Sequence, residues 1–174
     1  SKAKEYLEKI QLVLSNMEST IAYTLGEKIF EETAGEDPES MEALAGKRVL
    51  LVDDNELNRE IMKEVLVDHG LMVEEAENGS EAVAAVKVNE PGYYHFILMD
   101  IEMAVMDGYE ATGRIRSLDD KKKASIPIIS MTANAFPEDR TKALDSGMNG
   151  HVPKPFEITV LVSEMIEAIL SRDN

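Results

Sequence analysis

Apolar residues recur along this chain with two different periods. Short apolar runs at Arg48–Val52, Met72–Ala76, Phe96–Met99, Ile126–Met131 and Gly150–Val152 predict five strands. Segments of helical period lie between them. Glu56–His69 carries Leu57, Ile61, Val65 and Leu66 on one face and ends at Gly70, while Ser80–Val88 and Tyr109–Leu118 supply two further crossovers. Pro137 suits a first helical turn and opens a helix that Gly147 closes, and Glu157–Ser171 sets Ile158, Leu161, Val162, Met165, Ile166 and Ile169 at helical spacing. This alternation predicts an α/β fold: a (βα)5 unit whose parallel sheet is covered by helices on both faces. Upstream, Leu7, Ile10, Leu14, Met17, Ile21, Leu25 and Ile29 lay one stripe along a long amphipathic helix between Glu5 and Glu32.

A boundary falls near Gly46, after the acidic linker Glu36-Asp37-Pro38-Glu39-Ser40, so residues 1–46 read as helix plus linker and 47–174 as one domain. A helix of this kind is marginal alone and must bury its stripe. The options are packing on its own domain or pairing with a second copy. The expectation is a homodimer, because the domain already has enough helices to cover its sheet.

Charge narrows the function. With 18 basic and 34 acidic residues the net charge is −16, a field that repels phosphate backbones and anionic lipid. Neither nucleic acid nor a membrane surface is expected as a partner. The absence of Cys removes disulfides, thiolate metal sites and a Cys nucleophile. Apolar runs such as Phe96–Met99 are too short to span a bilayer and no signal-peptide pattern is present, so a cytoplasmic setting is expected.

In open α/β sheets the ligand crevice lies beyond the carboxyl ends of the strands. The residues there are Asp53 and Asp54 after the first strand, Asp100 after the third, Thr132 after the fourth and Lys154 after the fifth. Taken singly each has an ordinary explanation: the acidic pair as a helix cap, Asp107-Gly108 as a turn, Thr132 and Lys154 as strand-end and loop residues. Together they form a cluster with one chemistry. Carboxylates gathered in one crevice repel one another unless a cation joins them, and an all-oxygen site suits a hard ion such as Mg²⁺. A phosphoryl group on one carboxylate would bring acceptor oxygens that metal, lysine and hydroxyl can receive. This is phosphoryl-transfer chemistry. His69 and His95 read as ordinary residues at a helix end and a strand start.

These motifs carry a resemblance. The run Leu51-Val52-Asp53-Asp54-Asn55 with Asn58, then Leu98-Met99-Asp100-Ile101-Glu102-Met103 leading to Met106-Asp107-Gly108, then Met131-Thr132-Ala133-Asn134 and Gly150-His151-Val152-Pro153-Lys154-Pro155-Phe156, occur in the order and spacing of a response-regulator receiver domain. Residues 47–174 resemble that family, and the wording of the motifs is most similar to receivers of hybrid histidine kinases. The resemblance implies a flavodoxin-like (βα)5 fold with strand order 2-1-3-4-5. It implies that Asp100 accepts a phosphoryl group from a phosphohistidine, and that Asp54, Asp100 and the Glu102 carbonyl ligate Mg²⁺ with Asp53 helping through water. It further implies that Thr132 and Lys154 hold the phosphoryl oxygens, that His151 is a rotameric switch and that Lys154-Pro155 is a cis bond. The expected partner is a histidine kinase or a histidine phosphotransfer protein. The segment before Lys47 contains no His, so the donor is expected in another protein or in another part of a longer hybrid kinase. The chain alone is then a phosphoacceptor and not a stand-alone enzyme. The alternatives are a phosphate-independent interaction module and, less favoured, an aspartyl-nucleophile phosphatase. One departure is Ala104, where the family usually has Pro, which removes a restraint on the loop Ile101–Asp107.

Overall fold

The computed structural model describes residues 9–11, 44–133, 136–154 and 158–172. Residues 9–11 are helical and exposed. The rest of the amino-terminal stripe, the linker Glu36–Ser40 and the Lys154-Pro155 bond lie outside the described residues.

The domain runs β1 (Arg48–Val52), α1 (Glu56–Asp68), β2 (Met72–Ala76), α2 (Gly79–Val88), β3 (Phe96–Asp100), α3 (Gly108–Arg116), the short α4 (Lys121–Ala124), β4 (Ile128–Thr132), α5 (Pro137–Asp145), β5 (Gly150–Pro153) and α6 (Ile158–Arg172). All strand pairs are parallel and the sheet order is β2-β1-β3-β4-β5, as the resemblance implied. Side chains alternate across the pleat, so the two faces bury different halves of each strand. Leu50, Val52, Ile97, Met99 and Ile128 join one core cluster with Val83, Val86, Ala111 and Ile115. Val49, Leu51, Phe96, Leu98, Ile129 and Val152 join the other with Met62, Leu66, Leu161 and Met165. Because both faces are covered, β3 and β4 are buried at every position.

Helix starts follow local chemistry. Asn55, Asn78, Asp107 and Asp120 each accept a hydrogen bond from the backbone amide three residues on, the ordinary N-cap arrangement. Pro137 opens α5, and Gly147, at φ +99°, ends that segment in a conformation that disfavours a Cβ.

Two expectations are corrected. The fourth strand begins at Ile128 rather than Ile126, because the Ile126 amide is taken by Lys123 O, 3.3 Å away, and Pro127 has no amide to give. That bond closes α4, a helix of four residues too short to show a period. The buried stripe of α1 is Arg59, Met62 and Leu66, with Leu57, Ile61 and Val65 half-buried at its margin.

Candidate functional site

The order of strands reverses between β1 and β3; Asp53 directly follows β1 and Asp100 ends β3. Val52 pairs with Met99, so Asp53 and Asp100 stand side by side one step further on, about one inter-strand spacing (~4.8 Å) apart. Asp53 is fully buried, Asp100 is 5% exposed and Asp54 projects into solvent. One carboxylate oxygen from each of the three lies within 4.8 Å of the others. Lys154, following β5, reaches across the crevice to Asp53 Oδ2 at 2.5 Å and to Asp100 Oδ1 at 3.2 Å. The buried Thr132 ends β4 on the same rim, and its carbonyl accepts the Lys154 amide at 2.6 Å. Glu102 is exposed and lines, with Asp54 and Thr132, an open cleft of about 530 Å³.

The electrostatics follow from this crowding. Burial raises the Asp100 carboxyl most, Lys154 pulls it back, and Asp53 and Asp54 push it up again, leaving it at about 6. One ammonium does not balance three carboxylates, so the donor set suits a hard divalent cation held by oxygen ligands. Asp53 already has both oxygens engaged, by Lys154 and by the Asn55 amide at 2.9 Å, which leaves Asp54 and Asp100 as the more available donors.

The loop after β3 is held by its backbone despite Ala104. The Ala104 carbonyl accepts the Met106 amide at 2.8 Å, closing a three-residue turn around Val105, which sits at φ +70° and is 85% exposed. A β-branched residue in that region costs about 1–3 kcal/mol, so the surrounding contacts must over-determine it. Met106 O also accepts Gly79 N at 3.2 Å, and Gly108 N donates to Ile101 O at 2.9 Å. Gly108 is more than a turn residue. A Cβ there would run into the Asp100 carbonyl oxygen and lie 3.0 Å from Ile101 Cα.

His151 lies on the edge strand β5 yet is buried, at 7% exposed. Its Nδ1 is 2.6 Å from Ser130 Oγ, and burial lowers its pKa. Two buried side-chain atoms among the described residues lack a hydrogen-bond partner, His151 Nε2 and Glu164 Oε2, while Glu164 Oε1 pairs with Arg140 at 2.9 Å. His69 and His95 are structural, as expected: His69 Nδ1 is 2.7 Å from Val65 O, and His95 Nδ1 accepts the Arg48 amide.

Arg59 was not singled out from sequence. It is buried on α1 and donates to the Asp53 carbonyl at 2.7 Å. A helical projection of α1 carries the signal, since Arg59 precedes Met62 and Leu66 on the buried stripe.

Comparison with known proteins agrees with this fold. The profile of the response regulator receiver domain matches residues 49–166, and the chain belongs to that family. It is 37% identical over 154 residues to hybrid signal transduction histidine kinase B of Dictyostelium discoideum, covering 83% of this chain but 7% of that protein. The chain therefore spans a small part of the hybrid kinases that it matches. Among solved structures, the receiver domain of the Pseudomonas aeruginosa sensor histidine kinase PA1611, with magnesium in its active-site cleft, is 36% identical at a TM-score of 0.63, covering 72% of this chain and 98% of that one. A co-crystal of the Saccharomyces cerevisiae histidine phosphotransfer protein Ypd1 with the receiver of its downstream regulator Ssk1 gives 31% identity and a TM-score of 0.65, over 74% and 92% of the two chains. As a receiver the chain has a phosphoacceptor role and does not act autonomously. No helix among the described residues is long and apolar enough to cross a membrane.

Proposed function

We propose that this receiver takes a phosphoryl group from a phosphohistidine onto Asp100. The observation that carries the reading is the meeting of three carboxylates within 4.8 Å with Lys154 bridging Asp53 and Asp100. An Asp100 carboxylate oxygen attacks phosphorus, the new O–P bond forms as the N–P bond breaks, and the donor imidazole leaves with the electron pair. Attack requires the ionised carboxylate, and a carboxyl titrating near 6 is mostly ionised at neutral pH. Asp54, Asp100 and the Glu102 carbonyl would hold Mg²⁺, with Asp53 acting through water, and the ion would neutralise charge on the transferring oxygens. Lys154 follows the developing phosphate charge from its present place against Asp100, and the Thr132 hydroxyl bonds a phosphoryl oxygen. Water attack on the acyl phosphate later resets the site.

The output is a change of surface. Drawn toward the phosphate, Thr132 leaves room beside β5, and loading shifts His151 further toward the inward place on Ser130 that it already holds in this structure, biasing the face made by α5, β5 and α6. The donor is a histidine kinase or a histidine phosphotransfer protein, a reading supported by the likeness to hybrid kinases and to a receiver crystallised with such a protein. The proposed setting is the cytoplasm, with 47–174 as the receiver and 1–46 as an appended helix that joins two copies. Intact-mass spectrometry after treatment with acetyl phosphate and Mg²⁺ tests the reading. One phosphoryl group is expected on the native chain and none on Asp100→Ala. Persistent labelling of the variant would move the acceptor, and failure of the native chain with both acetyl phosphate and beryllofluoride would favour a phosphate-independent module.

A further inference from the structure

Asp53 is fixed at four points, of which the first three are its amide, which donates to Ala76 O at 3.2 Å, and its two carboxylate oxygens, which meet the Asn55 amide and Lys154. The fourth is its carbonyl oxygen, which accepts Arg59 NH1 at 2.7 Å. Helical side chains lean toward the helix amino terminus, so a residue in the first turns of α1 covers the bend at Asp53–Asn55. The Arg59 side chain is 8% exposed, and its remaining nitrogens lie 3.5 Å from Glu75 and 3.5 Å from Glu77, at the end of β2 and just beyond it. A guanidinium therefore sits buried beneath a site in which, among the described residues, Lys154 alone faces three carboxylates. Burying a charge in that place is costly unless something is gained from it.

We propose that Arg59 is a positioning residue of the metal site, fixing the backbone at Asp53 so that the acidic pair faces Asp100. The proposal rests on the reading of the cluster as a divalent-cation site. The fork of the guanidinium matters: one nitrogen reaches the Asp53 carbonyl while others stay on the carboxylates of the neighbouring strand. A lysine keeps the charge but cannot span these partners at once.

The test is a Mg²⁺ titration followed by amide shifts of Asp54 and Ile101 in ¹⁵N NMR spectra of the whole chain, for native protein, Arg59→Met and Arg59→Lys, with thermal unfolding in parallel. Loss of a group that orients a ligand typically weakens a metal about 10- to 100-fold, and a rise in Kd of at least about tenfold is expected for Arg59→Met. Arg59→Lys should fall between the two, and its spectrum should keep the native dispersion. A folded Arg59→Met whose Kd stays within about twofold of native would overturn the proposal. If Arg59→Met does not fold, Arg59→Lys decides: an unchanged Kd there overturns the role, and a weakened one supports it. A native chain that shows no response to millimolar Mg²⁺ would instead sink the metal site itself and the proposal with it, so the two failures are distinguishable.

Discussion

Removing the acceptor carboxylate should make the protein more stable at neutral pH. Asp100 is held at about 6 against an ordinary 3.8, first by burial and then by Asp53 and Asp54, with Lys154 only partly offsetting them. The folded state thus binds a proton at Asp100 more tightly than the unfolded chain does. Stability falls where the folded state holds more protons than the unfolded one, so it declines as pH rises from about 4 to about 6 and stays reduced above that window. A displacement of this size corresponds to about 3 kcal/mol, and solvent at the mouth of the cleft screens it to an expected 1–3 kcal/mol, roughly. Asp100→Asn keeps the shape and removes the charge. In urea unfolding with EDTA at pH 7.5 the variant should therefore be more stable than native by that amount, and the difference should vanish below about pH 4, where the native carboxyl is protonated in both states. Mg²⁺ should narrow the gap from the native side, by about 1.4 kcal/mol at ten times its Kd. A variant that is no more stable than native at pH 7.5, or a gap that ignores pH, would refute the account of a strained carboxylate cluster.

Ala104→Pro should stabilise the fold by about 0.4–1 kcal/mol, read as a rise in Tm, because the Ala104 amide donates to no described residue and its carbonyl remains free to accept Met106 N. A fall in Tm would place the φ of Ala104 away from the proline value. Gly108→Ala should cost about 1–3 kcal/mol and slow labelling by acetyl phosphate, since the added Cβ meets the backbone of Asp100 itself; normal labelling at normal stability would show that the loop yields without disturbing the acceptor. Arg116→Met should cost about 2–3 kcal/mol in urea unfolding while leaving labelling intact, because the Arg116 guanidinium, brought down to about 10 by burial, donates to the carbonyls of Ala124, Ile126 and Gly147 and to Asn149 Oδ1.

Much of the fold was legible because the central strands β1, β3 and β4 read as largely apolar runs, and because the Asx caps announce their helices. The site positions were legible for a related reason: parallel strands of similar length end on one rim, so residues just after each run must converge there. What failed depended on where backbone amides go. Ile126 belongs by hydropathy to the run of β4, but its amide closes α4, and no side-chain pattern records that. The need for glycine at 108 arises from the end of the preceding strand, across one loop, and the burial of His151 from Ser130 on the adjoining strand; both depend on how the backbone folds back and not on a local side-chain pattern. Arg59 looks like one more surface cation until the helix is turned so that Met62 and Leu66 face inward.

The two ends of the sheet carry opposite burdens. At the carboxyl end charges of one sign are crowded and partly unbalanced, which costs stability and leaves a cation or a phosphoryl group something to relieve. At the amino end Arg116 ties the carboxyl terminus of α3 to the segments that enter β4 and β5, with all its bonds going to neutral acceptors. β4 separates these ends by five residues, about 15 Å at the rise of a strand, beyond the distance at which substitutions usually couple. The double variant Asp100→Asn with Arg116→Met should therefore show the sum of the single effects within about 0.5 kcal/mol at pH 7.5, and the gain from Asn should keep its pH dependence in the Met background. Coupling well beyond that would mean that charge relief at the site is transmitted down the sheet, and that the foot of the domain is part of the switch instead of its anchor.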